Sequence, residues 1–144
     1  MGIKTARENQ EYQNVSKNRD LYSDLNHIFL PHPKTKQIGR KTNVDAVKLA
    51  VRNLVLTNKY ERLRNPDFGG NIRRYLFEPM VRETEVEIQN DIKYLIEQYE
   101  PRARVLEVYA KAAEDENSIY VRITFSVLTN PSEQSVDLTL YRVR

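Results

Sequence analysis

The most chemically suggestive stretch of this sequence is Glu100-Pro101-Arg102, an acid and a base separated by one proline. Pro101 fixes its own φ and pushes Glu100 out of the helical region. In an extended segment, residues two apart project to the same side, so Glu100 and Arg102 stand together on a stiff backbone. Such a pair can bond to complementary charges on a partner at little ordering cost. It can also close on itself, or on Arg104, as an exposed ion pair worth ~0–1 kcal/mol. Taken alone, the residues favour the self-pairing.

Other chemistries find less support. His27 and His32 are the only histidines, and they flank Pro31 without the HExxH helix spacing of a zinc protease. There is no cysteine and no GxSxG elbow to supply a nucleophile. Asn65-Pro66-Asp67-Phe68-Gly69-Gly70 is a dense turn, in which Pro66 presets its φ and the glycines take φ > 0 cheaply. Its Gly-Gly is not a phosphate-binding arrangement, and no Lys follows at the needed place, so the turn reads as structural, anchored by Phe68. Tyr94, Tyr99, Tyr109 and Tyr120 read as core or sheet-face packing, since the strand around Tyr120 lacks an RRM motif. No metal, cofactor, small-molecule substrate or membrane partner is expected.

The elements that position these residues follow from periodicity. Val44, Val47, Val51, Leu54 and Val55 form one apolar stripe and predict a helix over 42–57, with Thr42 as cap and Asp45 three residues on. Ile72, Tyr75 and Leu76 predict a short helix stopped before Pro79. Val86, Ile88, Ile92, Leu95, Ile96 and Tyr99 predict a second long helix over 83–99, ended by Pro101 and led by Glu83, Glu85 and Glu87, which suit the positive end of its dipole. Strands follow over 104–112, 119–127 and from Val136 to the chain end, the middle one with clear period two. Short connections imply an antiparallel sheet with one face on the helices. The fold class is α+β: two long helices and a short one on three antiparallel strands. Residues 1–20 are polar and read as an arm that stays disordered until bound, leaving 21–144 as a single domain.

Composition narrows the setting. The chain has 144 residues and a net charge of +3, room for one core but not for a second deep lobe. It lacks a long apolar run and a signal-peptide pattern, and the absence of cysteine fits a reducing compartment such as a cytoplasm. Residues 31–64 carry nine Lys/Arg against two acids, whereas 65–117 carry seven against twelve. The basic block can meet nucleic acid, but without an accompanying motif a solvated face or an acidic protein partner is the stronger reading.

Three segments in order, Asn65–Gly70 with Leu76-Phe77-Glu78, then Tyr99-Glu100-Pro101-Arg102, then Ile123–Val127 ending near Asn130-Pro131, resemble one family. It is the baseplate wedge subunit, or sheath initiator, of contractile-tailed phages of the T-even type, with a related subunit in type VI secretion baseplates. The resemblance covers roughly residues 42–141. It implies a structural virion protein, six per baseplate, assembled in the host cytoplasm. It also implies that Glu100, Pro101 and Arg102 dock on the helical core bundle of partner wedge subunits, and that the sheet meets the first sheath subunits. The last strand, with Val136, Leu138, Leu140 and Arg142, is the expected sheath contact, by addition of a partner strand at a free edge. Arg142 and Arg144 can instead be edge charges that prevent pairing.

Members of this family have carried a lysozyme-like label, so a peptidoglycan hydrolase of the tail is the alternative function. Glycoside hydrolysis needs two carboxyl groups roughly 5–9 Å apart, one in an apolar setting. Glu78, between Phe77 and Pro79, is the best candidate acid, with Glu100 or Asp67 as the second. No cleft-forming second lobe is evident, and an assembly protein without catalysis is the favoured reading.

Overall fold

The computed structural model describes residues 20–29, 31, 33–79, 81–113 and 117–142. The arm expected over 1–20 (apart from Asp20), His32, the acids at 114–116 and Arg144 lie outside them. The chain divides into two units, one up to Asn43 and one from Val44.

The first unit holds a small antiparallel ribbon of β1 (Ser23–Leu25) and β2 (Arg40–Thr42), with Ser23 opposite Thr42 and Leu25 opposite Arg40. Its side chains are mostly exposed, so main-chain bonds hold it. Asn43 closes it: its N–H donates to Tyr22 O at 2.8 Å, and its Oδ1 accepts from Leu21 N–H at 2.9 Å. Asn43 sits at φ 49°, a left-handed conformation that Asn adopts more readily than most residues.

The second unit is the α+β body. Helix α1 (Asn43–Leu56) buries Val47, Val51, Leu54 and Val55, as its stripe predicts, together with Ala46 and Leu49. The short helix is a 3₁₀ turn, Ile72–Phe77, that buries Ile72, Tyr75 and Leu76. At six residues it is long for an i→i+3 helix, and Pro79 follows its Glu78 cap.

Helix α2 (Arg82–Tyr99) buries Ile88, Ile92, Leu95 and Ile96 but not Val86. Val86 and Ile88 are two residues apart, about 200° around a helix, so they cannot share a face; the stripe closes on Ile88 and Val86 faces solvent. Tyr94 is likewise exposed instead of packed.

Strands β3 (Ala103–Ala113), β4 (Ser118–Val127) and β5 (Asn130–Tyr141) form an antiparallel sheet in that order. Ile119, Val121, Ile123 and Phe125 of β4 are fully buried, flanked by Leu140, Leu138 and Val136 of β5. A bulge at Leu106 shifts the pairing between Val105 and Glu107. Helix α2 packs chiefly on β3, and its Glu85 accepts the Ala112 N–H at 3.1 Å. Among the described residues, no helix is long and apolar enough to cross a membrane.

The turn after α1 is tied at both ends. Gly70 N–H donates to Thr57 O at 3.0 Å, and Tyr60 N–H to Pro66 O at 2.8 Å. Phe68 is half-buried, not fully buried; it meets the Tyr99 ring edge-on at 5.2 Å, while the Arg62 guanidinium lies 3.9 Å over its face. Gly69 has φ 105°, and a Cβ there would fall 2.5 Å from Thr57 O. At Gly70 a Cβ would meet Leu95 Cδ2, a side-chain tip, at 2.8 Å. Gly69→Ala should therefore cost at least about 2 kcal/mol and Gly70→Ala clearly less, as urea unfolding midpoints would show. Equal losses would refute this account of the turn.

Candidate functional site

The Glu-Pro-Arg triplet follows the last turn of α2. Glu100 caps the helix at φ −128° and ψ 74°, its N–H still bonded to Ile96 O at 2.8 Å. Its carbonyl accepts the Ala103 N–H at 3.0 Å, which tightens the turn into β3, and Arg102 O accepts the Leu128 N–H at 3.1 Å. Helix end, strand start and the β4–β5 turn therefore meet at these three residues.

The side chains join each other. Arg102 donates from Nε and Nη2 to the two carboxylate oxygens of Glu100 at 2.5 and 2.6 Å. This is not the exposed pair expected of self-pairing, because Glu100 is only 6% exposed. A carboxylate at that depth needs a charged, hydrogen-bonding partner, and a guanidinium fork supplies two parallel bonds. Glu100 is thus withdrawn from the surface, while the Arg102 side chain stays 35% exposed and Pro101 is exposed. Arg104, the other candidate partner, is exposed on β3.

The turn at Asn65–Gly70 abuts this site. Tyr99, the residue before Glu100, donates its hydroxyl to Asp67 O at 2.7 Å and carries the Phe68 contact. Two motifs thirty residues apart in sequence are therefore neighbours, which spacing alone did not show. Between turn and helix lies a groove of about 470 Å³ lined by Lys59, Asp67, Gly70, Arg74, Tyr94 and Tyr99, among others. Arg74 beside it contacts Asp91 at 3.4 Å and Tyr75 Oη at 2.8 Å, and burial pushes the Tyr75 hydroxyl above its usual value.

The strand residues divide by face. Val136, Leu138 and Leu140 turn their side chains into the core, so a partner can reach them only through the main chain. The Arg142 N–H donates to Asn117 O on the β4 side. Alternation then points the main-chain groups of Leu140, Leu138 and Val136 toward β4, and those of Asp137, Thr139 and Tyr141 toward the open edge. Arg142 lies 5.0 Å over the Phe77 ring. On the outer face Asp137 accepts from Arg122 Nε at 2.7 Å and from the Tyr120 hydroxyl at 2.8 Å, and these bonds hold its carboxyl below the usual range.

For hydrolysis the arrangement is poor. Glu78 caps the 3₁₀ turn and is exposed, not set in apolar surroundings. Both Glu100 oxygens are occupied by Arg102, and Asp67 is exposed. His27 is an exposed turn residue. Among the described residues, no three His, Cys, Asp or Glu side chains gather in a way that could hold a metal ion.

Comparison with known proteins agrees with the motifs. Residues 41–132 match the family model described as baseplate wedge protein gp25. Baseplate wedge protein gp25 of Enterobacteria phage T4 is 30% identical over 116 residues, which span 78% of this chain and 85% of that protein. A crystal structure from Geobacter sulfurreducens, provisionally named a tail lysozyme, superposes with a TM-score of 0.62 at 25% identity, covering 68% of this chain and 89% of that one. A chain of the anti-feeding prophage baseplate shares the fold, with a TM-score of 0.60 at 22% identity over 83% and 84% of the two chains. With its α+β body, its Glu-Pro-Arg clasp and a family match over most of its length, the chain belongs to the baseplate wedge protein gp25 family.

Proposed function

We propose that this chain is a structural subunit of a contractile-tail baseplate wedge, docking on partner subunits through Glu100, Pro101 and Arg102 and starting the sheath at the open edge of β5. Its place is then the tail baseplate of a virion, reached after assembly in the host cytoplasm. The observation that carries the docking reading is the buried Glu100 carboxylate gripping Arg102. It fixes a cation at the surface beside a rigid proline, and a preset side chain loses little freedom on binding. Glu100 thereby acts by positioning, and Arg102 and Pro101 meet the partner, whose complementary groups are acidic or carbonyl oxygens.

The edge reading rests on an asymmetry. The β3 edge is served by α2 through Glu85 and Ala112, whereas among the described residues no strand pairs with the far side of β5. Open N–H and C=O groups there can accept an extended segment of a sheath subunit.

Arg102→Ala would leave a buried carboxylate unpaired, a cost of about 2–3 kcal/mol, and so would mix misfolding with lost binding. The double variant Glu100→Leu with Arg102→Met removes both charges at similar volume and should fold. Its circular dichroism and urea midpoint should resemble wild type, while baseplate proteins no longer co-purify from a lysate of phage-infected host. Wild-type recovery of those proteins would overturn the docking role.

Thr139→Pro deletes one outward N–H and spares the ladder to β4, a tolerated use of proline on an edge strand. This variant should join the baseplate yet fail to nucleate sheath, as seen by electron microscopy of assembled tails. Normal sheaths on it would rule out strand addition at this edge.

The lysozyme-like alternative is favoured by the name of the Geobacter protein. The purified chain should release no soluble fragments from peptidoglycan, and release that Glu78→Gln abolishes would establish the hydrolase instead.

A further inference from the structure

Two exposed surfaces of the second unit remain outside the docking and edge readings, and they carry opposite charge. The first is the loop over 58–68. Leu63 there is 100% exposed and Tyr60 76%, although the loop is firmly tied. Besides the Tyr60–Pro66 bond, Glu61 Oε2 accepts the Asn58 N–H at 2.8 Å, and Arg62 stacks on Phe68 against Tyr99. Leu63 is thus presented on a fixed base, flanked by Lys59, Arg62 and Arg64, with Glu61 and Asp67 as the two acids of the loop.

The second surface is the outer face of α2. At 100° per residue, Glu83, Val86, Glu87, Asn90, Tyr94 and Glu97 fall in one stripe of roughly 100°, opposite Ile88, Ile92 and Ile96. Val86 is 47% and Tyr94 68% exposed, two apolar side chains set among three glutamates.

The geometry points to a contact between copies of this chain, in which the basic Leu63 loop of one copy seats on the acidic Val86–Tyr94 face of the next. Apolar anchors meet apolar side chains, and Lys59 and Arg64 meet Glu87 and Glu97. Because the two surfaces differ, the contact is heterologous: each copy gives its loop to one neighbour and its helix to another. Such a contact builds a ring if the rotation closes and a filament if it does not. An anionic membrane is the competing occupant for a basic, apolar loop. One leucine with a few bases makes a weak anchor, however, and a membrane leaves the acidic helix face without a role. Exposed charges over a small area bind weakly between free chains. The contact gains strength where copies are already held side by side, and it does not depend on Arg102.

The sequence has no cysteine, so engineered thiols report on this contact without background. Leu63→Cys chains mixed with Tyr94→Cys or Val86→Cys chains at high concentration should form disulfide-linked heterodimers. Their rate should be about tenfold above a control pair with Ser135→Cys on the outer sheet face. Each variant alone should link no faster than that control. The links should vanish in 1 M salt, where the Debye length is about 3 Å. They should also vanish with Glu87→Lys and Glu97→Lys on the helix partner, and return when Lys59→Glu and Arg64→Glu are placed on the loop partner. Mixed chains linking no faster than the control, or Leu63→Cys chains linking chiefly to themselves, would overturn the proposal. All the altered side chains are exposed, so folding is preserved, and the result stands apart from the test of Arg102.

Discussion

A carboxylate that leaves water must find charge and hydrogen bonds close by, or it destabilises the fold that buries it. Glu100 meets that demand through Arg102, two residues along its own chain, where Pro101 permits no helical continuation. The consequence extends past the pair. Arg102 is drawn into a fixed orientation, its carbonyl takes the Leu128 N–H, and the Glu100 carbonyl takes that of Ala103. Helix end, first strand and last hairpin are thereby locked to one corner of the molecule. The outward part of that corner is held by bonds to three elements, which is what a docking element of low ordering cost requires.

The sheet shows the same economy at its two edges. β3 receives α2, and a glutamate from that helix takes up the Ala112 N–H. No strand among the described residues pairs with the far side of β5, yet its inner side chains are fully committed to the core. A strand anchored by Val136, Leu138 and Leu140 cannot rotate or slip without exposing them, because a one-residue shift turns every side chain over. Its free edge therefore has a defined register. An incoming strand would find a template whose spacing is set by the hydrophobic core, not by the partner.

The sequence made the core elements plain and the special ones obscure, for physical reasons. Period two in β4 and the Ile88–Ile92–Leu95–Ile96 stripe in α2 are burial patterns, and burial is what apolar spacing encodes. β3 was harder to read because the bulge at Leu106 breaks its alternation. The ribbon at Ser23–Leu25 and Arg40–Thr42 left no trace, since it buries almost nothing and depends on main-chain bonds and one Asn43 side chain. Val86 and Tyr94 read as core because they are large and apolar or aromatic, although charged residues fill most of that helix and both side chains lie on its charged outer face. Self-pairing of Glu100 with Arg102 was visible as a possibility in the residues. The burial of Glu100 was not, because it arises from packing of segments distant in sequence.

Exposed apolar side chains in a small chain carry a risk of indiscriminate association, and charge limits that risk. Leu63 lies between Arg62 and Arg64, and Val86 between Glu85 and Glu87. Like meets like only with repulsion, so loop–loop and helix–helix contacts are disfavoured while loop–helix contacts are allowed. The separation of charge along the chain, basic over residues 31–64 and acidic over 65–117, would act in such a contact as an address. It would let hydrophobic surface remain exposed on each copy and still set which surface of the next copy it can meet.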